Sequence, residues 1–174
     1  MTVLGFDPGL NRTGFAAVRD VQPPALLVSG VIAPPAGRAM EDRLAFIFRE
    51  AGRVLGETRP DRVVVEDVYF SRNPQSTLKV GVVRGVLFAA ALQAGVGFSS
   101  FSPAEVKMAV CGRGNATKEQ VQFMIARILG VAEPIPEDSA DAMALCLCYF
   151  AHRRFALRLA PDGKPPGETG RPAR

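Results

Sequence analysis

Two short apolar runs in this chain each end on an acid. Val3-Leu4-Gly5-Phe6 leads into Asp7-Pro8-Gly9, and Val63-Val64-Val65 leads into Glu66-Asp67. Runs this short and apolar read as buried strands, and Pro-Gly forces a turn directly after the first acid. Taken alone, Asp7 is also ordinary turn chemistry. The repetition of the design alters that balance, together with an Asp138-Ser139-Ala140-Asp141 pair that opens a helix. Three separated places each present an acid at the end of a buried element. The expectation is that they converge on one metal site.

The rest of the chain supplies a frame for that convergence. Residues 13–18 and 25–32 read as two further strands, the second bracketed by Pro23-Pro24 and Pro34-Pro35. Short connections among these three strands suggest an antiparallel meander. Over 40–58, Leu44, Ile47, Phe48, Ala51, Val54 and Leu55 recur at helical spacing, and Arg59-Pro60 ends the helix. A right-handed crossover through that helix lays a strand over 62–66 parallel to the first. The gap between strands one and four is then a topological switch point, with Asp7 and Glu66 at its edge.

Residues 69–76 read as a loop. A helix capped by Ser76 or Thr77 follows, running to about residue 94 and apolar nearly all round. Gly81 and Gly85 would let a neighbour approach it closely, either in the core or across a subunit interface. A short strand over 98–101 precedes a helix with a Ser102–Glu105 capping box. The loop 112–116 leads to a helix capped by Thr117, with an acid nearby to complete a similar box, ending near 129. Pro134 and Pro136 mark a connection, and the last helix spans 138 to about 155. Residues 1–157 form one domain. Pro, Gly and charge dominate the tail 158–174, which is expected to be disordered. There are no internal repeats.

A chain of 174 residues with 48% hydrophobic residues can bury a proper core as one domain. Its net charge of +4 is compatible with a polyanionic partner without establishing one. The three cysteines, Cys111, Cys146 and Cys148, are an odd number, and the last two do not share a helical face. A disulfide framework and a zinc site are disfavoured, and a reducing cytoplasm fits better. His152, the single histidine, lies beside Arg153 and Arg154 and reads as surface. The N-terminus lacks a signal-peptide pattern. The most apolar run, residues 80–94, contains Arg84 and is too short to span a bilayer, so no membrane role is expected.

Asp138 and Asp141 stand three apart in a first helical turn and share a face. Helix capping explains acids there too, although Glu137 could serve that purpose alone. Four carboxylates from two strands and a helix suit a hard cation such as Mg²⁺, which takes a few carboxylates plus water and substrate phosphate. Two such ions about 3.5–4 Å apart activate water and steady the leaving oxygen in phosphodiester cleavage. Clustered carboxylates without a cation would repel one another and have raised pKa values. Basic residues crowd the same sequence neighbourhoods: Arg72 and Lys79 after Glu66, and Lys107, Arg113 and Lys118 around the loop 112–116. A lysine-lined loop opening onto a helix N-terminus suits phosphate. Tyr69 or Phe70 could stack on an exposed base or anchor the loop to the core.

Together these segments resemble the RuvC family of Holliday-junction resolvases, within the RNase H-like nucleases. The resemblance runs from Val3 to about Tyr149. It rests on Leu4-Gly5-Phe6-Asp7-Pro8-Gly9 with Thr13-Gly14, on Val65-Glu66-Asp67-Val68-Tyr69 with Asn73, and on Leu78-Lys79-Val80-Gly81 with Arg84-Gly85. Pro103-Ala104-Glu105-Val106-Lys107, the segment Gly112 to Val121, and Asp138-Ser139-Ala140-Asp141-Ala142 complete it. It implies an α/β fold with a mixed five-stranded sheet, strands one to three a meander and strands four and five parallel to strand one, flanked by helices.

The resemblance further implies a homodimer, and Asp7, Glu66, Asp138 and Asp141 as a set that binds two Mg²⁺ ions, with Mn²⁺ as a substitute. The first acid of the last pair varies in the family, so Asp138 is the least secure ligand. Lys107 and Lys118 match lysines that engage the DNA backbone and scissile phosphate, and Tyr69 stands where an aromatic contacts DNA near the crossover. Phe70, Arg72, Asn73, Lys79 and Arg113 complete the expected DNA contacts. The implied reaction is paired nicking of two like-polarity strands of a four-way junction, leaving 5′-phosphate and 3′-hydroxyl ends. RuvA and RuvB are implied partners.

The nearest rival is a YqgF-type RNase H-like nuclease acting on RNA, against which the motif over 112–120 argues. A phosphotransferase of the actin and sugar-kinase type needs two such domains, more than 174 residues provide. A non-catalytic junction-binding module is the third alternative.

Overall fold

The computed structural model describes residues 1–67, 74–132 and 135–159. The expected DNA contacts Tyr69, Phe70, Arg72 and Asn73 lie outside the described residues, as does the tail from 160 onward.

Three strands open the chain: β1 (Thr2–Asp7), β2 (Thr13–Arg19) and β3 (Ala25–Ile32). They pair antiparallel in sequence order, as the short connections require. Helix α1 (Met40–Thr58) then crosses over to β4 (Arg62–Glu66), which lies parallel to β1. Helix α2 (Pro74–Gln93) leads to β5 (Gly97–Phe101), parallel to β4. The sheet order is β3-β2-β1-β4-β5, so strands one and four are neighbours at the switch point. Helices α3 (Pro103–Cys111), α4 (Lys118–Leu129) and α5 (Glu137–Leu159) complete the chain. Helix α5 continues past the expected end near 155 to Leu159.

The two faces of the sheet bury separate cores. Leu4, Phe6, Val63 and Val65 join Ile47, Ala51, Val54, Val83 and Leu87 of α1 and α2. Val3, Ala16, Val18 and Val64 join α3, α4 and α5 on the other face. Side chains alternate along a strand. Asp7 therefore shares the face of Val3 and Gly5, and Glu66 shares that of Val64. Both acids point to the side covered by α5.

Two glycines let α5 lie close on that face. A Cβ at Gly5 would collide with the Ala142 carbonyl oxygen, and one at Gly14 with that of Asp138. Cys146, fully buried, settles its thiol against the Val3 and Ala16 carbonyls at 3.5 and 3.4 Å. Burial pushes that thiol up to about 12, so it stays protonated. All three cysteines are free.

The capping box of α3 forms as expected from Ser102 and Glu105. That of α4 pairs Thr117 with Gln120, not with an acid. His152 is exposed and lies against the Phe101 ring at 4.8 Å.

Helix α2 corrects one expectation. The run 80–94 alone is too short for a bilayer, yet helix formation begins earlier, and Gln75–Gln93 is long and apolar enough by length and composition. Val83, Leu87, Ala90 and Ala91 are buried in the core beside α1, while most of the span is not. A Cβ at Gly81 or Gly85 would meet nothing within 4 Å, so the close approach they permit is not made among the described residues.

Candidate active site

The cleft lies at the C-terminal edge of the parallel strands. Phe6 is paired with Val65, so the next residues, Asp7 and Glu66, emerge side by side from adjacent strand ends. Helix α5, laid over β1 and β2 through the two glycines, brings Asp141 to the same place. Asp7, Glu66 and Asp141 line one cavity of about 300 Å³ with Lys107 of α3 and Lys118 of α4. Pro103, Val106, Val121, Ala144 and Leu145 form its apolar wall.

The wall sets the electrostatics. Asp7 is pushed up to about 7 by burial first, then by Asp141, Glu66 and Asp138, with Lys118 opposing. Burial also raises Glu66, with Asp141 adding to the shift while Lys118 and Lys107 oppose it. Asp141 is raised by burial despite its hydrogen bond from Lys118. Burial lowers the Lys118 ammonium, but its bonds to Glu137 and Asp141 outweigh this and raise it overall. Three half-buried acids that repel one another make a pocket that attracts positive charge.

Protein cations supply part of that charge. Lys118 Nζ pairs with Glu137 and stands 3.2 Å from Asp141 Oδ2. Arg12, from the turn after β1, places Nη2 at 2.7 Å and Nε at 2.8 Å from Asp138 Oδ2. Among the described residues, no group of three His, Cys, Asp or Glu side chains already stands close enough to hold an ion. The acids thus line one cleft without forming a closed cluster among the described residues. The donor set, carboxylates with nothing soft among them, fits a hard divalent ion.

Three of the expected residues lie outside this cavity. Asp138 does not line the cavity and is engaged by Arg12. Lys79 is exposed on the first turns of α2, away from the cavity lining. Arg113 lines a separate cavity with Cys111, Glu119, Gln120, Phe123 and Met124. Arg12 and Glu137 escaped the sequence reading as site residues. Arg12 lies in a polar turn without periodicity, and the acid it meets is 126 positions away. Glu137 had a sufficient local explanation as a first-turn helix acid.

A mixed sheet of this order, with carboxylates at adjacent parallel strand ends and a third brought by a crossing helix, defines a nuclease of the RNase H-like class. The RuvC family model, described as crossover junction endodeoxyribonuclease RuvC, matches residues 3–149. The chain belongs to the RuvC family. It is 37% identical to the RuvC of Halorhodospira halophila over 161 residues, covering 92% of this chain and 96% of that one. With the Syntrophomonas wolfei RuvC it shares 38% over 170 residues, 97% and 99% of the two chains. Thermus thermophilus RuvC in complex with Holliday junction substrate superposes with a TM-score of 0.84 at 34% identity, covering 89% of this chain and 96% of that one. The yeast mitochondrial Holliday junction resolvase shares the fold at a TM-score of 0.64 and 14% identity, covering 86% and 77%. The nucleases of this family are metal-dependent.

Proposed function

We propose that Asp7, Glu66 and Asp141 hold the divalent cations with which this enzyme cuts DNA, and that Lys107 and Lys118 meet the phosphate at the cut. The chain is a crossover junction endodeoxyribonuclease that resolves Holliday junctions. The observation that supports the site is the shared cavity: three acids and two lysines, from β1, β4, α3, α4 and α5, line it together.

Two Mg²⁺ ions, with Mn²⁺ as a substitute, would supply Lewis acidity for the attacking water and the leaving 3′ oxygen. The residues do the rest. The carboxylates of Asp7, Glu66 and Asp141 bind and orient, and ionise fully once a cation offsets their repulsion. Lys107 and Lys118 bring positive charge to the phosphate as negative charge builds on its oxygens. The apolar wall of Val106, Val121 and Leu145 limits water at the reacting centre. Asp138, paired with Arg12, shapes the rim, and its ligand role is secondary to Asp141. Tyr69, Phe70, Arg72, Asn73, Lys79 and Arg113 extend the DNA contact beyond the cleft.

Cutting two symmetry-related strands calls for two related sites, hence a homodimer. Leu78, Gly81, Gly85, Phe88 and Leu92 lie on α2 in a three-four repeat. Leu78, Phe88 and Leu92 are 69%, 43% and 58% exposed, and both glycines face open space. That stripe matches the seam of two helices packed side by side. RuvA and RuvB remain proposed partners, and the cytoplasm the proposed place of action.

The test is cleavage of a mobile four-way DNA junction with end-labelled strands, with and without Mg²⁺. Paired, symmetric, ligatable nicks only with Mg²⁺ are expected. Preference for structured RNA would favour the YqgF-type alternative, and binding without cleavage the non-catalytic one.

A further inference from the structure

The strand that carries Glu66 is gripped at its end. Arg84 Nη2, on α2, donates to Asp67 Oδ1 at 2.9 Å and to Ser100 Oγ of β5 at 2.6 Å. Its guanidinium lies 5.8 Å from the centre of the Phe98 ring, and Phe98 meets Phe88 of α2 edge-on at 4.9 Å. The Asp67 amide donates to the Phe101 carbonyl at 2.9 Å. One side chain of α2 thus joins the residue after Glu66 to the strand that leads, through Phe101 and the Ser102 cap, into the helix bearing Lys107.

Stability alone is a poor reason for this arrangement. The Arg84 and Asp67 side chains are 31% and 48% exposed, and ion pairs this open contribute at most about 1 kcal/mol. Against that, Arg84 Nε is buried without a hydrogen-bond partner among the described residues, which costs free energy of similar size. The group occupies an unfavourable place that happens to adjoin the catalytic strand.

We propose that Arg84 is a positioning residue for strand cleavage. By holding Asp67 it fixes the direction in which the chain leaves Glu66. It therefore sets the Glu66 carboxylate against Asp7. Because α2 also carries the apolar stripe assigned to the dimer contact, the same clamp ties each cleft to the subunit interface. This inference rests on the proposed junction cleavage.

The experiment compares wild type, Asp67→Ala, Arg84→Ala and the double variant. It measures the single-turnover cleavage rate of a labelled four-way DNA junction at saturating enzyme with Mg²⁺. Junction affinity in EDTA, molar mass by light scattering and Tm are measured alongside. Each single variant should cut about 10-fold or more slowly, bind the junction within about 3-fold of wild type and remain dimeric. The double variant should be no slower than the slower single one, since Asp67→Ala and Arg84→Ala each remove the Arg84–Asp67 contact. A merely structural contact would lower Tm and leave the rate on bound junction unchanged. Asp67→Ala trims an exposed side chain and removes its bond to Arg84, so it decides the matter should Arg84→Ala fail to fold. Cutting by Asp67→Ala within about 2-fold of a cleaving wild type, or additive losses in the double variant, overturns the proposal alone. A wild type that leaves the junction intact overturns the functional reading with it.

Discussion

Lys118 Nζ stands 3.2 Å from Asp141 Oδ2, inside the cleft that Asp7 and Glu66 also line. A lysine so placed has two competing duties. It pairs with Asp141, and under the proposed mechanism it would also face the DNA phosphate.

Lys118→Ala should separate those duties, because the signs differ. Losing the ammonium removes a competitor for Asp141, so Mn²⁺ or Mg²⁺ should bind the DNA-free protein about 3- to 10-fold more tightly. Cleavage of a bound junction should fall about 100-fold, the usual cost of losing one group that stabilises developing charge. Isothermal titration and single-turnover cleavage check the two halves separately. Weaker metal binding by the variant would refute the competition.

Asp7 gives a pH prediction. Its ordinary value of 3.8 is raised to about 7 in the folded protein, mainly by burial. Below the ordinary value the group is protonated in both states. Between the two values the unfolded chain has ionised while the folded one holds its proton, so stability falls as pH rises and levels off above about 7. Asp7→Asn abolishes that loss. In EDTA the variant should match wild type at about pH 4 and exceed it by about 1–3 kcal/mol at about pH 8. Junction binding should survive, while Mg²⁺-dependent cleavage disappears. Urea unfolding at the two pH values measures the first effect, and a variant less stable at both would contradict it.

The difference between what was legible in the chain and what was not follows from the range of each interaction. Strand ends, the helix over 40–58 and the Ser102 box are local and periodic, so residues close together specify them. The parallel placement of β4 followed from the handedness of a single crossover. Asp7 and Glu66 were legible for that reason, since a strand end and a register suffice to pair them. Asp138 shows the limit. Its spacing to Asp141 was correct for one helical face, but the spacing carries no trace of Arg12, whose guanidinium claims it across the fold. Arg113 followed the same logic: it is near Lys118 in sequence, yet the turn at Gly112 directs it into another cavity.

The stripe on α2 predicts how the enzyme assembles. Phe88 and Leu92 are one turn apart and exposed, next to glycines that leave room for a second helix. Phe88→Asp with Leu92→Glu places two charges in the proposed seam, where a desolvated like-charge contact costs several kcal/mol. Light scattering should report a monomer at micromolar concentration. The monomer should nick single strands and lose the paired, symmetric cut. A double variant that remains dimeric would move the interface elsewhere.

The glycines beneath α5 place the third acid. At Gly14 a methyl group would run into the Asp138 carbonyl, and at Gly5 into that of Ala142, one residue beyond Asp141. Backbone cannot step aside as a flexible side chain can, so the helix itself must shift. Gly5→Ala should therefore cost about 2–3 kcal/mol through overpacking. It should also weaken metal binding by displacing Asp141 from Asp7, since an ion tolerates little error in ligand position. Gly52→Ala makes the control, because that glycine lies on α1 with nothing within 4 Å and a methyl there favours the helix. Tm should fall for Gly5→Ala and rise slightly for Gly52→Ala, metal affinity should fall in Gly5→Ala alone, and a Gly5→Ala protein that binds Mn²⁺ as wild type does would show that α5 need not lie so close for its acid to reach the cleft.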